Sequence, residues 1–513
     1  MSYRDYAPPA PLLFGYDPER DLPEDHLARL VERVVEESVR PGLLPARRGQ
    51  PPFDPRLCAK VLLYGYATGV RSSRQLERLC TESLPYLYLT RGDTPSYRTL
   101  CSFRVHRSET LESVWTGLFA VAQEVGIERL GRIVVDGSKI KADASPDSVV
   151  SAREFDAVLS QLRAILKQAK EADDRDDEGP PGTNRLGKQV DGAQMRDILR
   201  RVRSRARKPD TDADAPETSA KQSSDALPVT ARMRQRVTQA VETLEAASQE
   251  ELKHVNLTDP DARMMCEGRD KHIRDCHNFE VAVDNGLLVV AQTSNSAHDA
   301  HRLEPLVEAA EKTEPAGIVA IDADAGYYTG DTVASLIKRN IDVCIPNSNT
   351  ACDLHRAQPI GTTRRKITGT VSFTYDETTN SYHCPQGNEL VFSQRRQDGA
   401  QQVNVYRARR ACTGCPLAEQ CGNKKNRVYR RLNLGVDHEL LDAHLDRFRD
   451  PEHVARYHRR GPAVETVFGF LRAVLGFRRW MVRGSERVAA ETRAIKTALQ
   501  LRKIYSRWAG CQG

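Results

Sequence analysis

The chain has 513 residues, which is too long for one compact core and favours about two to four domains. Hydrophobic residues make up 39% of it and charged residues 28%, a balance that excludes disorder along the whole chain. No apolar run approaches the roughly 20 residues that cross a bilayer, and the first residues lack an apolar signal core, so we expect a cytoplasmic protein with no membrane partner.

Basic residues are clustered, although the formal net charge is only +6. A single run of basic residues is usually a solvated helix face, but five such runs in one chain favour a nucleic-acid partner. The five runs are residues 196–208, 364–366, 424–431, 456–460 and 478–483.

The N-terminal region is predicted to be helical. Apolar residues recur at three- and four-residue spacing between Leu27 and Val125, which predicts an all-α domain over residues 1–127. A helix beginning near Ser96 carries Arg98, Arg104 and Arg107. Two interpretations stay open: this helix lies along DNA, or the helices only support the next domain.

Two apolar runs each end on an aspartate beside a glycine. The first runs from Arg132 to Asp136 and the second from Gly317 to Asp324. Such runs are typical of buried strands, and ligands bind at the carboxyl ends of strands in open α/β sheets. One aspartate after a strand usually caps a turn, but the pair predicts metal-binding carboxylates in one site. Asp322 lies on the same strand face as Asp324, so spacing cannot separate these two.

The order of elements predicts an α/β fold with a ribonuclease H-like catalytic core. Asn285-Gly286 separates two β-like runs and is a strong hairpin signal. A helix near 301–312, the strand ending at Asp324, a helix near 331–339 and a strand over 341–345 follow. This order matches a ribonuclease H-like core in which the first and fourth strands are neighbours. The predicted catalytic domain covers residues 128–513.

Two insertions are expected within that domain. The first covers residues 148–255 and combines helical and low-complexity sequence. Its predicted segments are a helix over 154–172, a linker from Asp173, a basic helix over 192–207, a low-complexity stretch over 209–228 and a helix over 230–250.

The second insertion covers residues 347–435 and is β-rich. Its grouped cysteines are Cys384, Cys412, Cys415 and Cys421. A Cys-x-x-Cys turn places two thiolates on one side of a knuckle, and the other two cysteines would complete a tetrahedral structural zinc site. His383 is an alternative ligand, and free thiols or an iron–sulfur cluster are the competing interpretations.

A third acidic residue, Glu465, follows the second insertion. Gly461-Pro462 predicts a helix start with Pro462 in its first turn, and the helix continues past Glu465. A single glutamate on a helix is usually only solvated. Here Tyr457, Arg460 and Arg472 flank it, and these groups are suited to holding a phosphate.

These residues together resemble the DDE transposases of bacterial insertion sequences, in the branch with a helical N-terminal domain and a four-cysteine insertion. The resemblance covers nearly the whole chain. It is carried by the segments 135–145 and 323–328, the four cysteines, and the segment 457–472 followed by Arg483-Gly484.

The resemblance implies a catalytic triad of Asp136, Asp324 and Glu465. It favours Asp324 over Asp322, because Asp-Ala-Gly-Tyr fits the family's motif. The family's Tyr-Arg-Glu-Lys signature falls on Tyr457, Arg460, Glu465 and Arg472. Two departures stand out: four residues separate Arg460 from Glu465 where three are usual, and arginine occupies the lysine position at 472.

The function implied is cleavage and strand transfer of insertion-sequence DNA ends with two Mg²⁺ (or Mn²⁺) ions. Its partners would be double-stranded DNA, as terminal inverted repeats and target, and a second copy of the chain in a synaptic homodimer. The protein would be bacterial and nucleoid-associated. Two alternatives remain: a catalytically silent DNA-binding regulator derived from a transposase, and a ribonuclease H-like nuclease or resolvase.

Overall fold

A computed structural model describes residues 17–40, 51–176, 231–267, 272–314, 316–360, 373–376, 378–398, 401–408, 412, 414–417, 421 and 430–511. The predicted basic helix over 192–207 and the low-complexity stretch over 209–228 lie outside the described residues. The basic runs 196–208, 364–366 and most of 424–431 lie outside them too.

The predicted helical N-terminal region is confirmed. Its helices are α1 (Pro18–Asp21), α2 (Leu27–Ser38), α3 (Pro55–Ala67), α4 (Ser73–Glu82), α5 (Leu84–Thr90), α6 (Tyr97–His106) and α7 (Ser108–Glu124). Ser96 is the N-cap of α6, and its hydroxyl accepts a hydrogen bond from the Thr99 amide at 3.3 Å.

A mixed sheet follows the helices. Its strands are β1 (Arg132–Lys141), β4 (Arg263–Glu267), β5 (His272–Asp284), β6 (Leu287–Ser294), β7 (Ala320–Ala323) and β8 (Asp342–Cys344). They lie in the order β4-β5-β1-β7-β8, and β6 also pairs with β5. β1 is antiparallel to β5 and parallel to β7, and β7 is parallel to β8. The predicted pairing of the hairpin strands is confirmed: Asn285 and Gly286 have φ of 48° and 79°, the positive values that a tight hairpin turn requires.

Two helices, one after β6 and one after β7 in the chain, pack on one face of this sheet. They are α10 (Leu303–Glu311) and α11 (Gly330–Lys338), close to the predicted bounds. Their apolar residues join those of β1, β6, β7 and β8 in one hydrophobic cluster, which includes Val307, Ile321 and Val333. The alternation of strand and helix therefore buries that face of the sheet.

The region between β1 and β4 forms a small unit with its own apolar cluster. It contains β2 (Val149–Ser151), α8 (Phe155–Asp176), α9 (Ala231–Gln249) and β3 (His254–Asn256). β2 pairs with β3, and the two helices pack through residues such as Leu162 and Leu244. α8 continues through Asp176, so the prediction of a linker from Asp173 was wrong at this boundary.

A second, antiparallel sheet follows α12 (Ser348–His355). Its strands are β9 (Thr374–Asp376), β10 (Ser381–His383), β11 (Glu389–Asp398), β12 (Gln401–Ala408) and β13 (Arg431–Gly435), and they lie in chain order. Tyr382, Leu390 and Tyr406 form its small core, against which Cys384 and Cys412 pack.

The C-terminal helices are α13 (His438–Asp446), α14 (Pro451–Ala473) and α15 (Ser485–Gly510). α15 contributes to a large apolar cluster that also contains residues of the N-terminal helices and of β5 and β6. Lys496 of α15 donates to Glu112 of α7 at 2.6 Å, and Glu491 accepts from Tyr66 of α3 at 2.9 Å. The N-terminal helices therefore share one core with the sheet.

The predicted helix start at Gly461-Pro462 was wrong. α14 begins at Pro451, where Asp450 caps the amide of Glu452, and it passes through Pro462. A proline inside a helix removes one backbone hydrogen bond and destabilises it. Tertiary packing compensates here, because Val464, Phe468 and Leu471 are buried after Pro462.

Among the described residues, none of the helices is both long and apolar enough to cross a membrane.

Glu314, between α10 and β7, is a buried acid whose stability contribution depends on pH. Its side chain is 4% exposed, and its Oε1 has no partner among the described residues. Burial, reinforced by the nearby Asp284 carboxylate, raises the pKa of Glu314 from 4.5 to about 7. The folded chain therefore holds this proton more tightly than the unfolded chain, and the resulting stability is lost as the pH rises through 7.

Glu314→Gln should stabilise the protein at pH 8 by up to about 3 kcal/mol and have little effect at pH 5, because glutamine removes a buried charge that exists only at the higher pH. Urea unfolding at both pH values measures this. Glu308→Gln, on the exposed side of α10, is the control. Equal stabilisation at both pH values would contradict the assignment.

Candidate functional site

The parallel pairing of β1 with β7 places two of the predicted acids side by side. Val135 lies opposite Ala323, so Asp136 and Asp324 are the next residues on the two strands. β7 ends at Ala323, one residue before the predicted end at Asp324, and Asp324 caps a short turn by accepting the Gly326 amide at 2.7 Å. β1 does not end at Asp136 as predicted but continues to Lys141, because the long β5 remains paired with it.

The carboxylate of Asp136 is three-quarters buried. Its Oδ1 accepts from the Gly137 amide at 2.8 Å, and its Oδ2 lies 3.5 Å from Arg460 Nη1. Burial raises the pKa of Asp136 to about 6, and the charges of Asp324 and Asp299 act in the same direction. Buried carboxylates with a raised pKa are frequent at functional sites.

Asp322 and Asp324 differ in their partners, although they share a strand face. Asp322 Oδ1 accepts from Arg456 Nε at 2.8 Å and from its Nη2 at 2.6 Å. Arg456 also pairs with Asp342 of β8. Asp322 is thus engaged in fixing α14 to the sheet, while Asp324 lies beside Asp136.

Helix α14 places side chains next to Asp136 and Asp324. Arg460 pairs with Asp136, and its guanidinium lies 5.4 Å from the ring centre of Tyr457. Burial raises the pKa of the Tyr457 hydroxyl, with a further contribution from the Asp324 charge. Arg472 donates to the Ser138 hydroxyl on β1. Three of the four residues of the predicted signature therefore lie near Asp136, Ser138 or Asp324. They are Tyr457, Arg460 and Arg472.

Glu465 is not brought to the two aspartates. It is exposed on α14 and joins no ion pair within the described part of the chain. Nor does any group of three or more His, Cys, Asp or Glu side chains among the described residues stand close enough to hold a metal ion. Since carboxylates repel one another when nothing neutralises them, an ion would have to draw these side chains together.

The sequence interpretation missed several polar residues that lie near Asp136. Asp299 accepts from Lys139 Nζ at 2.7 Å and from Asn278 Nδ2 at 3.0 Å. The Tyr327 hydroxyl is buried without a partner, and burial together with the charges of Asp299, Glu280, Asp136 and Asp324 raises its pKa. The sequence offered only a weak signal for Asp299, its place in the polar segment that follows the second hairpin strand.

Two buried oxygens lie on the other face of β1 from Asp136, because the side chains of consecutive strand residues point to opposite faces. They are Tyr327 Oη and Asn278 Oδ1, which have no partners among the described residues. A Cβ built on Gly137 would come within 2.9 Å of the former and 3.1 Å of the latter, so glycine at this position leaves the space open.

The four grouped cysteines lie together, as the sequence predicted. They line one cavity of about 20 Å³, close to the volume that one water-sized probe occupies. The Arg430 amide donates to Cys412 Sγ at 3.1 Å. Burial raises the pKa of the Cys412 and Cys421 thiols. Nε2 of His383, the alternative ligand, lies 3.9 Å from Asp376 Oδ2.

Not every predicted basic residue faces solvent. Arg104 is buried, donates to Ser73 Oγ at 2.6 Å and so cannot contact DNA, whereas Arg98 and Arg107 are exposed. In the loop after α14, the buried Phe477 and Trp480 anchor a segment whose arginines are exposed. These are Arg478, Arg479 and Arg483.

The fold and site define a mixed α/β protein in which two aspartates lie side by side on neighbouring parallel strands, with arginines next to them. Residues 383–505 match the family described as "Transposase DDE domain", and residues 16–106 match "Transposase domain (DUF772)". The first match includes Glu465 and the cysteines but neither aspartate. No curated protein matches the chain. The two matches, which together cover less than half of the chain, indicate a DDE transposase of the insertion-sequence type, a class of mobile-element proteins of DNA transposition.

Arg456→Met should lower the free energy of unfolding by about 1–3 kcal/mol, because it leaves the partly buried Asp322 and Asp342 without their shared cation. Thermal and urea unfolding measure this loss. Arg459→Met is the matched control, since Arg459 is exposed on the same helix. Equal stability of the two variants would show that the Arg456 ion pairs do not hold α14.

Proposed function

We propose that this transposase cleaves insertion-sequence DNA ends and transfers the strands to target DNA in a Mg²⁺-dependent reaction. Its catalytic domain, residues 128–513, would be a ribonuclease H-like core with insertions at 148–255 and 347–435. The strand order β6-β5-β1-β7-β8, with only β5 antiparallel to β1, supports this core. The helical region 1–127 would bind DNA.

The observation that carries the proposal is the placement of Asp136 and Asp324 side by side beneath α14, at the point where the pairing of β1 with β7 ends. These two, with Glu465 from α14, would hold the ions. Divalent ions held there would supply activation of the attacking oxygen and stabilisation of the leaving oxygen. Glu465 would have to approach from its exposed position, a movement that an ion or DNA would favour by neutralising the carboxylates.

The arginines beside the carboxylates would position the DNA phosphates. Arg460 and Arg472 would contact the scissile region with Tyr457, since a guanidinium binds two phosphate oxygens at once. The exposed Arg478, Arg479 and Arg483 would continue this surface along the DNA backbone. The partners of the protein would be terminal inverted repeats and target DNA. Joining two DNA ends would require at least a homodimer.

Asp136→Asn, Asp324→Asn and Glu465→Gln should each reduce Mg²⁺-dependent end cleavage by at least about a thousandfold while leaving DNA binding intact, since each removes a charge needed only for the reaction. Labelled inverted-repeat DNA incubated with a target plasmid reports binding, cutting and joining separately. Asp331→Asn, exposed on α11, is the control.

The same assay separates the alternatives. Binding without cutting by the wild-type chain would indicate a DNA-binding regulator, and cutting without joining would indicate a nuclease or resolvase. Full cleavage by any one of the three variants would remove that residue from the catalytic set.

The four cysteines would hold a structural Zn²⁺. The four thiols line one cavity, and four thiolates are a frequent zinc ligand set, but among the described residues they do not stand close enough to hold an ion, so zinc would have to draw them together. Zinc would then join Cys412, Cys415 and Cys421 to the turn at Cys384.

Protein purified without added zinc should contain about one zinc per chain, and Cys415→Ser should lose it, because three thiolates hold Zn²⁺ less tightly than four. Elemental analysis measures zinc and iron together, so it also tests the iron–sulfur alternative. Cys101→Ser, at an exposed isolated cysteine, should retain the metal. Metal-free wild-type protein would rule the site out.

A further inference from the structure

The loop between α14 and α15, residues 474–484, lies beside the strand that carries Asp136, and we name it the arginine loop. The amide of its Trp480 donates to the carbonyl oxygen of Lys141 on β1 at 2.9 Å. Lys141 is five residues beyond Asp136, about 17 Å along an extended strand. The exposed arginines of the loop are Arg478, Arg479 and Arg483.

Arg71, from the turn between α3 and α4, holds the backbone of the arginine loop. Its Nη1 donates to the carbonyl oxygen of Arg479 at 2.9 Å, and its Nη2 donates to that of Gly476 at 3.4 Å. Its guanidinium also lies 4.6 Å from the centre of the Phe477 ring. One side chain of the N-terminal region thus contacts three residues of the loop.

Glu491 of α15 holds the same loop from below. Its carboxylate is fully buried, and its Oε2 accepts from the Met481 amide at 2.9 Å. Its Oε1 accepts from the Tyr66 hydroxyl of α3 at 2.9 Å and lies 3.9 Å from Arg71 Nη1. A buried carboxylate is stable only with such partners, so the loop, α3 and α15 share one polar network.

The turn between α3 and α4 also packs against the arginine loop through its backbone. Gly69 has φ of 81°, and a Cβ built on it would lie 3.6 Å from the carbonyl oxygens of Val474 and Leu475. Phe477 and Trp480 are fully buried in the apolar cluster that contains the N-terminal helices. The N-terminal region therefore forms part of the support on which the loop rests.

The far end of the loop is held by other segments. The Gly484 amide donates to Asp259 Oδ1 at 3.0 Å, and Arg483 Nε donates to the carbonyl oxygen of Asp143 at 2.8 Å. Arg71 and Glu491 instead hold residues 476–481. Loss of Arg71 would therefore loosen the part of the loop that carries the other two arginines without detaching its far end.

We propose that Arg71 is a positioning residue for DNA binding, which fixes the arginine loop so that Arg478 and Arg479 are arranged for phosphates before DNA arrives. The side chain of Arg71 is only 13% exposed, which leaves it little surface for a phosphate of its own. A surface that is ordered in advance binds more tightly, because less conformational entropy is lost on binding. This inference rests on the proposed function, and it gives the N-terminal helices a role in shaping the DNA surface of the catalytic region.

The test is the binding of the full chain to a fluorescent duplex of arbitrary sequence, measured by anisotropy at several salt concentrations. Arg71→Met should weaken binding about tenfold and reduce the slope of log affinity against log salt by about 1–2, because fewer phosphates are contacted. A smaller folded fraction alone would leave this slope unchanged. The melting temperature of each variant reports folding separately.

A double-mutant cycle shows whether Arg71 acts through the loop. In the background Arg478→Ala/Arg479→Ala, Arg71→Met should weaken DNA binding less than about twofold, because the arginines that it positions are already absent. Arg78→Met is the matched control, since Arg78 is exposed on α4 and pairs with Glu82. Its effect should be the same in both backgrounds.

Three results would overturn the proposal in distinguishable ways. Wild-type binding by Arg478→Ala/Arg479→Ala would remove the loop from the proposed DNA surface itself. Weak binding by that variant, with wild-type affinity and slope in Arg71→Met, would exclude Arg71 and leave the proposed function standing. Equal effects of Arg71→Met in both backgrounds would show that Arg71 does not act through the loop.

A second variant covers the case in which Arg71→Met does not fold. Arg71→Lys keeps the positive charge, but one ammonium group cannot bind both carbonyl oxygens and stack on Phe477 as the guanidinium does. Binding should therefore still be weakened. Wild-type affinity and salt slope in Arg71→Lys would also overturn the proposal.

Discussion

The unequal pairing of β1 on its two sides is the constraint on which the site depends. On one side β1 stays paired with β5 as far as Lys141, whereas on the other its pairing with β7 stops at Val135. From Asp136 to Ile140, β1 is therefore paired with β5 but with no strand on its other side among the described residues, until Lys141 forms an isolated bridge with Arg479. Asp136 lies at the first position of this opening, and Asp324 turns into it. A longer β7 would close the space with backbone hydrogen bonds.

Helix α14 is fitted to this opening by residues at four-residue spacing, in which each residue is the helix-surface neighbour of the next. Arg456 binds the acids of β7 and β8, Arg460 lies against Asp136, Val464 and Phe468 are buried, and Arg472 reaches Ser138. Arginine thus has two roles on one face. At Arg456 it secures the helix, while Arg460 remains close enough to Asp136 to offset part of its charge without fully neutralising it.

Local sequence signals predicted much of this structure, because they depend on backbone chemistry. The Asn285-Gly286 hairpin, the Ser96 cap and the end of β7 within one residue of Asp324 need only near neighbours. The remainder depends on contacts between distant segments: β1 extends because β5 is long, α14 tolerates Pro462 because its face is buried, and Arg104 turns inward to Ser73. Asp299 was missed for the same reason, since its position near Asp136 depends on its contacts with Lys139 and Asn278 and not on its own flanking residues.

The charges around the opening constrain what can enter it. Asp136, Asp299 and Asp324 would repel a phosphodiester, and the arginines of α14 would repel a free cation, so neither partner alone suits the whole site. A cation among the carboxylates would reverse the local charge and release Arg460 from Asp136, which lies only 3.5 Å away. Arg460 would then be available to a phosphate. Cation binding and DNA binding at this site should therefore favour one another, and the Asp136–Arg460 pair is the contact through which that coupling would act.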